Sequence, residues 1–535
     1  GKEEKGLETT LIYKIYNKFE KPLIENKVKR WGFLGFTFLL LLASLALFYT
    51  KGVAVKMLPF DNKNEFQIVV DMPEGSTLEK TSAVTREIAN YLSQRPEVDN
   101  YQSFVGTSAP ITFNGLVRHY DLRGGSNMAD IQVNLIDKSE RSEQSHDIAK
   151  KLRADIQAIG KRFNANIKLV EVPPGPPVLS TIVAEVYGPD YNEQIKIAKQ
   201  LREILTTTDD IVDVDDMVEA DQVEYNFVID KEKAMLNGVA PQQIVATLKM
   251  ALSEQPISIL YKETANEQVG LVLALDEKEK SSINDIKQVK VISQMGIAIP
   301  IGDLIKVEEK VRDKAIYRKN QKRVVYVVAD MAGELESPVY GILNMSDRLD
   351  EIEVPKGYSL NEEFNQQPEH EDDYTVKWDG EWQITFEVFR DLGAAFVIAI
   401  FVIYLLIVGW FQNFKAPLVM LVAIPLSMVG IMLGHWMLGA FFTATSMIGV
   451  IALAGIMVRN SVLLIDFIEL RLEDGVPLKQ AVIEAGAVRT TPILLTAGTV
   501  VIGAFVILFD PIFQGLAISL MGGTITATVL TLLVV

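Results

Sequence analysis

The sequence predicts an α+β membrane protein: six transmembrane helices with one large exported insert built from ferredoxin-like split βαβ units. Three observations predict it. A charge-free apolar stretch of spanning length stands at residues 31–49, and apolar character returns from Leu392 onward. Between them, residues 60–390 are polar and charged, with helix and strand periods of soluble type. The composition is segregated in the same way, with 49% hydrophobic and 23% charged residues in a chain of 535 and a mean hydropathy of +0.18. That apolar content excludes a disordered chain, and the lack of cysteine excludes a disulfide-stapled scaffold. A formal charge of −17 argues against a nucleic-acid partner, because phosphate contacts need clustered Lys and Arg.

Before the first span, Leu11, Ile12, Ile15, Tyr16 and Phe19 fall on one helical face, with Lys14, Lys18 and Lys21 on the others. Segment 1–30 therefore reads as an interfacial amphipathic helix on membrane lipid plus a linker, or as a linker helix packed on another domain. Residues 31–50 form the first transmembrane helix. In the insert, Phe66–Met72 reads as a strand, followed by a helix with a capping box at Ser76 and Glu79. Strands near Val98–Phe104 and Ala129–Ile136, a helix over about 144–159 and a strand at 166–172 complete β-α-β-β-α-β. The run Val172-Pro-Pro-Gly-Pro-Pro-Val178 stops this unit.

A second unit begins with a strand at 180–187, a helix at 191–205 and a strand at 211–218. Its other half, a strand at 323–329, a helix at 338–352 and a closing strand at 358–364, resumes after an insertion of about 224–316. Segment 366–390, with the acidic run Glu369–Asp373, is expected to be a loop and linker helix. Residues 391–535 hold five spans, about 392–411, 417–437, 442–465, 491–509 and 513–535. Basic residues lie before the first span, at Lys415, and at Arg471, Lys479 and Arg489, while the short loops near 438–440 and 510–513 hold none. The basic side is cytoplasmic by the positive-inside rule, so the insert is exported. In a cell with two membranes this means a multi-pass inner-membrane protein with 60–390 in the periplasm.

No P-loop or dinucleotide fingerprint occurs. The histidines, His119, His146, His370 and His435, lack metal-ligand spacing, and no nucleophile–base pair stands out. No enzyme, cofactor or metal site is indicated. The informative residue is Arg459, inside the apolar run SMIGVIALAGIMVRNSVLLI, because an ionised group at that depth is costly and usually functional. Asp466 follows seven residues on, about 10 Å along the axis. The other spans hold no Asp or Glu apart from the loop residue Asp510, so the counter-ion is Asp466 or comes from polypeptide outside this chain. Asn460 and Thr496 add polar groups. Gly449, Ala452, Gly455, Gly498, Gly503, Gly522 and Gly523 favour close helix packing around the site. Packing together with an ionisable centre points to transport.

Six stretches carry a family resemblance: LPFDNKNEFQIVVDMPEGSTLEKT (58–81), VIDKEKAMLNGVAPQQI (228–244), IPIGDLIKVE (299–308), GIMVRNSVLLIDF (455–467), RTTPILLTAGTVVIGAFVIL (489–508) and MGGTITATVL (521–530). With the span–insert–five-span order, the chain resembles the C-terminal half of resistance-nodulation-division efflux permeases of the drug–proton antiporter, acriflavine-resistance-like branch. The resemblance implies a proton-driven exporter of amphiphilic compounds, working as a homotrimer with a periplasmic adaptor and an outer-membrane channel. It implies porter subdomains at 60–177 and at 178–223 with 317–365, and a docking subdomain at 224–316. It also implies a missing N-terminal half that carries a transmembrane Asp pair, and a last helix cut at Val535.

Arg459 stands where the branch has a Lys, followed by the usual Asn460, and Arg489 and Thr496 match its other relay positions. An arginine does not release its proton in proteins, so Arg459 would be a fixed counter-charge while the absent Asp pair titrates. The stretch 101–120 matches the drug-contacting region, which makes Tyr101, Phe104 and Phe113 candidate pocket residues, with core packing the alternative for each. The metal-export branch has clustered methionines and an acidic residue at position 459. Met72 and Met128 make no trio, so amphiphiles are preferred over metal ions, with a metal or lipid exporter as the alternative. A non-pumping receptor or scaffold, in which Arg459 only pairs with Asp466, is the reading from another class.

Overall fold

Asn26 starts the first span by capping it, its side chain accepting from the Val28 and Lys29 N–H groups. Helix α1 (Leu11–Glu25) precedes it, and α2 (Lys27–Tyr49) is the span itself. Only Thr37 and Ser44 of α2 are buried, each hydroxyl bonding its own helix at Leu34 O (2.9 Å) and Leu41 O (2.8 Å), while the large apolar residues face outward. That is the inverse of a soluble helix and what a hydrocarbon solvent selects. The computed structural model describes residues 11–172, 175–253, 255–333 and 335–534. The side chains of Leu11, Ile12, Ile15 and Tyr16, on which the amphipathic face of α1 rests, and Pro173 and Pro174 of the proline stop lie outside the described residues. The chain divides into two compact units, 1–218 with 316–535, and 219–315.

In the larger unit the first sheet follows: β1 (Glu65–Asp71), α3 (Leu78–Leu92), β2 (Val98–Thr107), α4 (Phe113–Arg118), β3 (Gly124–Leu135), α5 (Ser145–Phe163) and β4 (Asn166–Val170). The strand order is β2-β3-β1-β4, with every neighbouring pair antiparallel. Ile68 pairs with Ile131 on one side and Leu169 on the other, and α3 and α5 cover that face with Val84, Ile88, Leu92, Leu152 and Ile156. The opposite parity, Asp71, Asp130 and Lys168, is charged. The expected capping box is absent. The cap is Thr77, one residue on, with no side-chain bond, because Ser76 O accepts the Ser126 hydroxyl and Thr81 Oγ1 donates to Ser126 O at 2.6 Å. Tying the helix to β3 takes the place of a local cap.

The second sheet opens with β5 (Ile182–Tyr187), α6 (Tyr191–Thr206) and β6 (Ile211–Asp216). The smaller unit then intervenes with β7 (Val223–Ile229), α7 (Lys231–Leu236), α8 (Pro241–Leu252), β8 (Pro256–Leu260), β9 (Val269–Val272), α9 (Ile283–Lys287), β10 (Lys290–Ile292), β11 (Ala298–Pro300) and β12 (Ile305–Val311). Antiparallel β7 and β12 are its entry and exit, and Ala234, Val239, Ile244, Val291, Ile301 and Leu304 are its core.

The chain returns through β13 (Tyr317–Lys319), β14 (Lys322–Met331), α10 (Pro338–Ser346), β15 (Leu360–Glu363) and β16 (Tyr374–Gly380). Three expectations change here. The closing strand of the second unit is β16, not the segment at 358–364, which supplies only the four-residue β15, parallel to β16 on its outer side. The order β6-β14-β5-β16 repeats that of the first sheet. Accordingly 366–390 opens as the expected loop and ends in helix, the first turns of α11, but holds β16 between them. Beyond the acidic run, Tyr374-Thr-Val-Lys-Trp378 is aromatic and β-branched, favours a strand, and is buried throughout, with Trp378 Nε1 donating to Glu362 at 2.6 Å. The helix expected at 338–352 ends at Ser346 and continues as a 3-10 turn, Leu349–Glu351.

Helices α11 (Glu381–Phe411), α12 (Lys415–Leu438), α13 (Ala444–Glu473), α14 (Leu478–Ile507) and α15 (Gln514–Val534) follow. With α2 they are the six described helices long and apolar enough to cross a membrane. Helix α14 starts well before residue 491, so Arg489 lies inside it and not in a loop, and Arg471 closes α13. A Cβ on Gly430 would meet Gly522 O at 2.1 Å, and one on Gly523 would meet Leu453 at 2.2 Å. Helix α15 therefore touches α12 backbone to backbone, the close approach that small residues permit.

Candidate functional site

At helical spacing, Ile448, Ala452, Gly455, Arg459 and Asp466 fall on one stripe of α13, and all are exposed. The other faces, including Leu453, Met457, Asn460 and Leu464, are buried. Arg459 thus stands exposed in the middle of an apolar, spanning-length helix. Among the described residues, the ion pairs of α13 are those of Arg471, to Asp474 at 3.0 Å and Glu484 at 2.7 Å; Arg459 and Asp466 form none, with each other or elsewhere. The structural bridge weighed for them is not made, because both point outward a spacing of seven residues apart.

The remaining relay candidates divide. Asn460 is buried, and among the described residues its Oδ1 has no hydrogen-bond partner. Thr496 is half-buried and its hydroxyl donates to Ile493 O at 3.0 Å, in its own helix. Arg489 lies over the Phe467 ring, 5.0 Å from its centroid, with a buried, unbonded Nε. Arg489 and Phe467 join α13 to α14, but no bond links Arg489 or Thr496 to Arg459. The expected close packing holds at Gly449, Gly522 and Gly523 and fails at Gly455, Gly498 and Gly503, where an added Cβ would find nothing within 4 Å. The open glycines lie on α13, beside Arg459, and on α14.

The three aromatic candidates share no pocket. Tyr101 packs against the core of the first sheet. Phe104 is paired with Asp130, on the charged face. Phe113 opens α4 and is exposed, its helix capped by Thr112 Oγ1 accepting from Gly115 N–H at 3.1 Å. Around it the β2–β3 connection also exposes Ile111, Leu116 and Leu122. One side chain holds this connection to the second sheet: Arg118 donates to Asp330 of β14 at 2.8 and 3.3 Å. Burial works to raise the Asp330 carboxyl, but Arg118 and the Thr181 hydroxyl and N–H hold it well below the usual range.

The sequence reading also missed the charges between the sheets. Arg123 pairs with Asp71 and with Asp130 (2.7 Å), Lys168 pairs with Asp71 (2.9 Å) and with Asp215, and Arg153 pairs with Asp213. Part of their signal was charge on one face of otherwise apolar strands, at Asp71, Asp130 and Lys168 in the first sheet and at Asp213 and Asp215 on β6. Among the described residues, no group of three or more His, Cys, Asp or Glu is placed to hold a metal ion.

A sequence model of the AcrB/AcrD/AcrF family matches residues 8–535. The swarming motility protein SwrC of Bacillus subtilis (strain 168) is 24% identical over 534 residues, 98% of this chain and 47% of that protein. Two crystal forms of a heavy metal efflux pump have the same fold, with TM-scores of 0.77 and 0.79 at 18% and 19% identity, over 98% of this chain and 50% and 51% of theirs. The chain therefore spans about half the length of the relatives it matches.

Proposed function

The chain belongs to the AcrB/AcrD/AcrF family of resistance-nodulation-division permeases, and on that premise we propose that it is the C-terminal half of an exporter driven by proton antiport. The observation that carries this reading is the unpaired Arg459 on the open stripe of α13. A guanidinium at membrane depth without a carboxylate calls for one, and the remainder of the pump is the source. In this reading two Asp side chains from an N-terminal half lie against Arg459, which stays charged while they take up and release protons. Asn460, Thr496 and Arg489 are the polar groups beside that exchange, and Gly455 gives the partner helix room to approach.

The two β-sheet subdomains serve as porters, the second including β16, and the smaller unit serves for docking. The assembly is a homotrimer in the cytoplasmic membrane with its insert outside the cytoplasm, met by an adaptor and, where a second membrane exists, a channel. Amphiphilic compounds are the favoured cargo, supported by the apolar side chains that the β2–β3 connection exposes at Ile111, Phe113, Leu116 and Leu122.

The test is the full-length protein in proteoliposomes under an imposed pH gradient. Arg459→Ala is expected to lower proton-coupled dye efflux at least a hundredfold while the protein stays folded and keeps its oligomer, and Arg459→Lys to keep a measurable fraction. Undiminished efflux in Arg459→Ala sinks the relay. Metal ions are the second reading, because the two structural relatives are crystal forms of a heavy metal efflux pump. On gene loss, sensitivity to silver, copper or zinc without sensitivity to dyes or detergents would select it.

A further inference from the structure

The segment leaving α2 carries a buried lysine that the proposed relay does not use. Lys56 is 2% exposed. Its backbone is pinned: Lys56 N–H donates to Phe442 O (3.1 Å), Phe442 N–H to Ala54 O (2.8 Å), and the Ser337 hydroxyl to Val55 O (2.6 Å). The ammonium lies between the faces of Phe60 and Phe441, 4.7 and 5.3 Å from their ring centroids. Among the described residues it donates no hydrogen bond, and the only carboxylate oxygen within 4.0 Å is Glu336 Oε2 at 3.7 Å.

That carboxylate is already engaged. Its Oε1 accepts from Lys150 at 2.5 Å, and Oε2 lies 2.9 Å from His146 Nε2, although off the line of a well-formed hydrogen bond. The His146 ring is itself fixed, stacked on Phe60 with Nδ1 2.7 Å from Glu171. Glu381, at the head of α11, accepts from the Met57 N–H and lies beyond 4.0 Å from the Lys56 ammonium, acting on it through its charge without a direct contact.

Lys56 lines a cavity of about 370 Å³. Phe60, His146 and Glu336 line it together with the α12–α13 turn at Phe441 and Thr443 and the α14–α15 turn at Leu508, Phe509 and Gln514, a lining of both apolar and polar groups. Both turns close spanning helices at the end where α2 also finishes, so the cavity is level with the membrane surface. Phe509 is 75% exposed at its edge. An ammonium with three donors and no acceptor, facing a cavity and largely withdrawn from bulk water, is complemented by an oxyanion, and the apolar part of a mixed lining suits a chain. We propose that Lys56 and this cavity bind the oxyanion head of an anionic amphiphile, phosphate-, sulfate- or carboxylate-headed, with its tail along Phe441, Leu508 and Phe509. The site is separate from Arg459 and stands or falls independently of proton coupling.

Calorimetric titration of the full-length protein in a neutral maltoside detergent tests this, with dodecyl phosphate and inorganic phosphate as probes. Dodecyl phosphate is expected to bind saturably and at least tenfold more tightly than inorganic phosphate. Lys56→Gln should weaken it tenfold or more, and Phe509→Ala about threefold. Inorganic phosphate binding as tightly as dodecyl phosphate would overturn the amphiphile and leave a free-anion site. Equal affinity in the wild type and Lys56→Gln, or no saturable binding, overturns the whole proposal. Should Lys56→Gln fail to fold, Phe509→Ala decides, and unchanged affinity there refutes it.

Discussion

Arg118 shows how much one side chain holds in place. Its guanidinium joins the β2–β3 connection to Asp330 across 212 residues of sequence, and both partners are largely removed from water. Arg118→Ala leaves a buried carboxylate with only hydroxyl and backbone partners, and is expected to cost about 3–5 kcal/mol, read by thermal or denaturant unfolding of the full-length protein. His146 gives a prediction in pH. Burial disfavours its imidazolium, but Glu171 and Glu336 outweigh that and raise its pKa from 6.5 to about 9. A raised cationic pKa contributes stability that is complete below pH 6.5 and is lost as pH climbs through 9. Stability should therefore fall by up to about 3 kcal/mol between pH 6.5 and 9, read as a decline in Tm over that range. His146→Gln should flatten that fall, and identical profiles for the two proteins would refute the assignment. Arg459 was legible in the sequence because a charge inside an apolar run is conspicuous. Arg118, Lys56 and His146 were not, because each owes its role to partners brought together only by the fold, and nothing local marks them.

Among the elements, the crossing of α12 and α15 has the least room. A side chain at Gly430 would run into the backbone of α15, so Gly430→Val is expected to destabilise the detergent-solubilised protein by about 1–3 kcal/mol or more. Gly498→Ala, which meets open space in this chain, should leave its unfolding temperature unchanged. The spans could be found from composition alone because lipid demands it. The start of α14 could not, because Lys479, Glu484 and Arg489 make its first turns amphipathic and a hydropathy window stops short of them. Strand β16 was hidden by the acidic run before it, and the short β15 took its place in the expected topology. The four strands of the first sheet and its two long helices were legible because their periods are regular, whereas the six-residue α4 between β2 and β3 was too short to mark itself.

For the whole molecule, the smaller unit enters and leaves through paired strands, with Arg312 N–H donating to Gln222 O at 2.9 Å and Lys314 bridging to Asp221 at 2.6 Å. Replacing 219–315 with a short Gly/Ser linker should leave the larger unit folded in the membrane, since the flanking ends already lie side by side. Size-exclusion chromatography and unfolding of the deleted protein check this, and aggregation would show that the two units fold as one. The interruption was visible in the sequence as a split unit whose halves lay a hundred residues apart. Its start is five residues earlier than expected, at 219 against 224. Among the described residues no carboxylate pairs with Arg459, so the partner proposed for it could not be read from this chain.

Strand β16 runs into α11 at Gly380 with no intervening loop. That glycine has φ +78°, a Cβ on it would meet Ser180 O at 2.5 Å, and Glu381 N–H is tied to Thr181 O at 3.1 Å. The joint therefore behaves as a welded crank. Any roll or tilt of α11 within the bilayer arrives at the second sheet as torque, undiminished by slack chain, and the hydrogen bonds to β5 spread that load over neighbouring strands.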